Sequence, residues 1–103
     1  MSQIIVSTLI DEDEEMRELL LTFVESLPSL ITDVISAFNQ KNWDGTRESA
    51  HKLKGLGGSY GYPMLTDLAA SIETQIKQTQ LDGIEEKMIA LQTMCDQIIA
   101  GLK

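Results

Sequence analysis

Histidine and cysteine are nearly absent from this chain. There is one of each, His51 and Cys95, in 103 residues. One cysteine excludes an internal disulfide and is compatible with a reducing compartment. One of each also excludes a zinc cluster built from cysteine and histidine. Basic residues are scarce: eight against sixteen acidic ones, a formal charge of -8. That balance argues against nucleic acid as a partner, because phosphate recognition needs a basic patch. No unbroken apolar run approaches the ~18 residues of a membrane helix. The start, Met1-Ser2-Gln3-Ile4-Ile5-Val6, lacks the basic and long apolar regions of a signal peptide. The expectation is therefore a cytoplasmic protein with no membrane contact. No Walker-type loop is present, so no nucleotide site of its own is expected.

Period-two alternation is also missing, which leaves no stretch long enough for a sheet. What is present is helical spacing. Residues 1–10 read as an extended lead-in, with Ile4-Ile5-Val6 too short to seed a strand. Asp11-Glu12-Asp13-Glu14-Glu15 reads as a charged helix start, where carboxylates complement the helix dipole. Met16, Leu19, Leu20, Phe23, Val24, Leu27, Leu30, Ile31, Val34, Ile35 and Phe38 then recur at spacings of three and four. Pro28 interrupts this stripe without breaking its register. It predicts an additional N-terminal helix or a kinked first helix.

Asp44 is the expected N-cap of the next helix, which runs to about Gly58–Tyr60. Pro63 suits the first position of a third helix, with Leu65, Leu68, Ala69, Ile72 and Ile76 as its stripe. After the Asp82-Gly83 break, Ile84, Met88, Leu91, Cys95, Ile98 and Leu102 form a seam of alternating fours and threes. Short links between amphipathic helices predict an all-α, antiparallel up-down four-helix bundle. One domain over 1–103 is expected, helical from residue 11. As the bundle begins near Met1, a stand-alone protein is expected.

The second helix carries the unusual chemistry. Residues 49–61 hold His51, Lys52, Lys54 and four of the seven glycines. On a helical projection Leu53 marks the buried side, and His51 lies opposite it with Arg47, Lys54, Gly55 and Gly58. A core histidine would sit with Leu53, so His51 is expected at the surface. Each glycine inside a helix costs roughly 1 kcal/mol relative to alanine. Gly57 faces the core and suits close helix packing. Gly55, one turn from His51, has no such packing role and leaves room for another protein's backbone. A neutral imidazole is a nucleophile, and a phosphoryl group on it would be stabilised by the Lys54 ammonium, expected to face solvent. A serine–histidine–aspartate hydrolase is the competing chemistry, but no pocket is implied for it.

Ala50-His51, Leu53, Lys54-Gly55 and Gly61, ten residues after the histidine, together resemble the histidine-containing phosphotransfer (HPt) domain family. The continuation Gly57-Gly58-Ser59-Tyr60-Gly61-Tyr62-Pro63 with Leu65, Leu68 and Ala69 is similar to a variant of the same motif. The likeness extends over nearly the whole chain. Leu56 departs from it, because the family commonly places a small residue after Gly55.

The resemblance implies a phosphorelay carrier. His51 would take a phosphoryl group from the aspartyl phosphate of a response-regulator receiver domain and pass it to another receiver. Lys54 would stabilise the phosphoryl group, and Gly55 and Gly58 would permit close approach. Arg47, Lys52 and Leu56 would form a docking rim. The chain would need no cofactor of its own, with Mg²⁺ supplied by the receiver. The implied partners are receiver domains and a hybrid sensor kinase, met by a monomer. A phosphotransfer-inactive, receiver-binding module of the same fold is the alternative.

Overall fold

The computed structural model describes residues 4–10 and 13–102. Four helices pack into a bundle, and the described residues include no strand. The helices are α1 (Glu14–Asn39), α2 (Trp43–Ser59), α3 (Pro63–Lys77) and α4 (Ile84–Leu102).

Asp13 caps α1, its carboxylate accepting the Met16 N–H at 2.8 Å. Of the predicted acidic start, Asp11 and Glu12 lie outside the described residues. Pro28 sits inside one uninterrupted helix, and no additional N-terminal helix occurs among the described residues. Leu27 and Ile31 are buried on either side of it, so core packing holds the helix through the lost backbone bond. By length and composition α1 could cross a membrane, which the count of unbroken runs did not anticipate. Its apolar face is instead committed to the bundle through Leu20, Phe23, Val24, Leu27, Ile31 and Val34.

Three sequence-based expectations change here. Asn42, and not Asp44, caps α2: its Oδ1 accepts the Gly45 N–H at 3.0 Å and the helix starts at Trp43. Leu19, expected in the core, is half exposed, whereas Tyr62, outside every apolar stripe read from the sequence, is buried. Aromatic packing accounts for Tyr62. The ring of Phe23 stacks on Tyr60 just past the end of α2, at 4.6 Å, and also on Tyr62, at 5.9 Å. Tyr62 therefore closes the core, whereas Leu19 stands at the edge of the α1 face centred on Leu20, Leu27 and Ile31.

The α4 seam is buried along its whole length. Phe38 packs on Trp43 at one end of α1 and α2, and Phe23 on Tyr60 at the other, so these helices are antiparallel. Residues 4–10 cross the end of the bundle. Ile5 N–H donates to the Gln97 carbonyl of α4 (2.9 Å), and Thr8 N–H to the Gly61 carbonyl in the α2–α3 turn (2.8 Å). The buried Ser7 hydroxyl donates to the Tyr60 carbonyl at 2.5 Å. Gly61 has φ 78, and a Cβ there would meet Ser7 Oγ at 2.5 Å. The turn therefore needs glycine both for its left-handed backbone and for the segment lying across it.

Candidate functional site

The buried residues of α2 are Thr46, Ala50, Leu53 and Gly57, at spacings of four, three and four. That single stripe turns the opposite face outward. His51 projects from it with 67% of its side chain exposed. Lys52, Gly55 and Gly58 are also exposed, whereas Arg47 is half-buried. Leu56 is half-buried and packs against the core, so only part of it belongs to the surface. Beyond its chain neighbours and the adjoining backbone of α2, no atom lies within 4 Å of the place a Gly55 Cβ would occupy. Gly55 is thus unconstrained from within the fold.

Sequence reading missed Glu73. It lies on α3, buried among Ala69, Ile72 and Ile76. Its side chain is 11% exposed and points at α2, where His51 Nδ1 lies 2.7 Å from Oε2 and Lys54 Nζ 2.9 Å from Oε1. One carboxylate therefore spans both residues. A signal was present: Glu73 interrupts an apolar stripe, four residues after Ala69 and three before Ile76. A charge at such a position is rarely buried without partners.

Lys54 is consequently not simply solvent-facing. It is 35% exposed and leans on Glu73. Burial alone would raise the Glu73 pKa. The hydrogen bonds and charges of Lys54 and His51 outweigh that effect and hold the carboxyl below its ordinary value. An ionised carboxylate only accepts hydrogen bonds, so Nδ1 of His51 must carry the proton of this contact. In the neutral ring the other nitrogen, Nε2, is then the one with a free lone pair. The arrangement supplies a solvent-facing nucleophilic nitrogen, an adjacent cation and a buried anion that orients both.

The α2–α3 contact that brings these groups together is close. A Cβ on Gly57 would lie 2.7 Å from Thr66 Oγ1 and 3.0 Å from the Thr66 backbone nitrogen. The Thr66 hydroxyl donates to the Lys54 carbonyl at 2.8 Å. Gly57 serves the packing its core-facing position predicts, well inside α2, which runs on to Ser59.

A family model described as Hpt domain matches residues 18–101 of the chain. The match spans all of α2 and α3 and most of α1 and α4. No curated protein and no solved structure matched the chain.

Proposed function

The chain belongs to the Hpt domain family, whose members have a phosphotransfer role in phosphorelay and act with two-component signalling proteins; from that premise we propose that His51 carries the phosphoryl group between receiver-domain aspartates. The observation that carries this reading is the exposed imidazole held at Nδ1 by Glu73.

Nε2 attacks the phosphorus of a receiver's aspartyl phosphate. The new N–P bond forms as the bond from phosphorus to the aspartate oxygen breaks, and the carboxylate leaves with the electron pair. Nδ1 keeps its proton, so the phosphorylated ring is positively charged, and Glu73 stabilises that charge across the 2.7 Å contact. Lys54 Nζ, on the other oxygen of the same carboxylate, neutralises charge on the phosphoryl oxygens. The reverse step hands the group to the next aspartate. Mg²⁺ chemistry belongs to the receiver in this scheme, and the domain is a phosphocarrier without catalytic groups for ATP.

Gly55 and Gly58 leave the surface beside His51 bare for the receiver's approach. Arg47, Lys52 and the exposed part of Leu56 form the rim of that surface. The buried, unpaired Cys95 is in keeping with a cytoplasmic setting.

Incubation with a phosphorylated receiver tests the reading. The chain should acquire an acid-labile, base-stable label, and His51→Gln should acquire none. Equal labelling of His51→Gln would sink the assignment. Receiver binding by the native chain without any label would favour the inactive binding module.

A further inference from the structure

We propose that Thr66 is a positioning residue for the His51 site, latching α3 against Gly57 so that Glu73 reaches both His51 and Lys54. The inference rests on the reading of His51 as the phosphoryl acceptor.

Two contacts lie on one seam. The first is at Gly57 and Lys54 of α2, where Thr66 of α3 sits against the bare Gly57 backbone and bonds the Lys54 carbonyl. The second is at His51 and Lys54, where Glu73 arrives. Seven residues forward along α3 from Thr66 reach Glu73, and six back along α2 from Gly57 reach His51. At about 1.5 Å per residue the steps cover roughly 10.5 and 9 Å, each a little under two turns. The helices run in opposite directions, so the first contact sets the register of the second.

A slip of one residue would turn Glu73 by about 100° away from the imidazole. The Lys54 carbonyl has a second lone pair free to take the Thr66 hydroxyl, so the latch costs α2 no internal bond. Ala69, fully buried, is the small residue that α3 carries between the two contacts. Thr66 touches no reacting atom. It acts through the placement of Glu73.

The test reads the ring itself. His51 is the only histidine, so long-range proton–nitrogen spectra of the labelled protein show one imidazole. In the native chain the neutral ring should show a protonated Nδ1 and a bare Nε2. Thr66→Val should shift that pattern toward the Nε2–H form that a free imidazole prefers. It should also slow transfer from a phosphorylated receiver about fivefold, the factor corresponding to one ordinary hydrogen bond. Thr66→Ser, which keeps the hydroxyl, should restore both readouts. Thr22→Val, which removes a hydroxyl bonded only within α1, should change neither. A folded Thr66→Val with the native nitrogen pattern and native rate overturns the proposal, and so does a Thr66→Ser that fails to restore them.

Should Thr66→Val not fold, Gly57→Ala carries the same comparison. It forces the helices apart with the hydroxyl still present, and a native pattern in that variant is equally fatal. The nitrogen spectra need no receiver, so this test can fail while the phosphotransfer reading stands, and the reverse.

Discussion

Glu73 Oε2 lies 2.7 Å from His51 Nδ1, so a carboxylate on α3 decides which nitrogen of the imidazole on α2 faces solvent. The other oxygen of the same group holds Lys54 Nζ at 2.9 Å. Imidazole and ammonium therefore share one anchor, buried at the seam between two helices.

Glu73→Gln keeps the shape and removes the charge. A neutral amide oxygen accepts from one partner only, and its NH2 group repels the other. Hydrogen bonds to charged groups are worth about 1.5–3 kcal/mol, so phosphotransfer should fall by roughly 10- to 100-fold. Glu73→Asp should recover little, since the shorter side chain cannot reach both partners. Rates of transfer from a phosphorylated receiver check this, and a native rate in Glu73→Gln would remove the anchor from the mechanism.

Acid should weaken the fold through the same group. The Glu73 pKa is lower folded than unfolded, with Lys54 and His51 overcoming the opposing effect of burial. Its contribution is therefore fully present above the unfolded carboxylate value of about 4.3 and is lost as pH falls through the lower folded value. Denaturant unfolding of the native chain and Glu73→Gln should differ near neutrality and converge once the pH has fallen below the folded value. A difference independent of pH would mean that the charge of Glu73 is not what stabilises the seam.

Gly55 should be replaceable as far as folding is concerned. Beyond its chain neighbours and the adjoining backbone of α2, nothing lies within 4 Å of its missing Cβ, so Gly55→Ala should stabilise the helix by about 0.5–1 kcal/mol. Gly55→Leu should fold equally well yet slow transfer from a receiver, because its side chain stands beside His51. Thermal unfolding and transfer rates measured together separate the two effects. Normal transfer in Gly55→Leu would remove the close-approach role.

Gly61 and Gly83 make a matched pair. Both have positive φ, 78 and 83. A Cβ at Gly61 would also strike Ser7, Thr8 and Leu9, whereas at Gly83 it meets only Glu86 at 4.0 Å. Gly83→Ala should cost about 1–2 kcal/mol from the left-handed backbone alone. Gly61→Ala should cost clearly more, because residues 7–9 must also lift from the α2–α3 turn. Equal losses in denaturant unfolding would show that residues 4–10 add nothing to the hold on that turn.

The helices were legible because their burial stripes are nearly pure. The α4 seam contains only apolar residues, and all six are buried as their spacing predicts. The outward face of α2 was legible for the same reason, with Leu53 and Gly57 marking the inside. Leu19 misled because spacings of three and four mark a broad face, and Leu19 stands at its edge beside the fully buried Leu20. Asn42 and Asp44 are both good capping residues, and only the backbone path chooses between them. Glu73 was hidden by distance: its partners lie 22 and 19 positions earlier, and their pairing exists only once α3 is laid against Gly57. A stripe read for its apolar members passes over the one charged member that matters.

The most direct test of the account is phosphorus and nitrogen NMR on the chain after transfer from a phosphorylated receiver. One phosphoramidate is expected, on Nε2 of His51, with Nδ1 still protonated against Glu73. A phosphoryl group on Nδ1, on any other residue, or on none at all would contradict it.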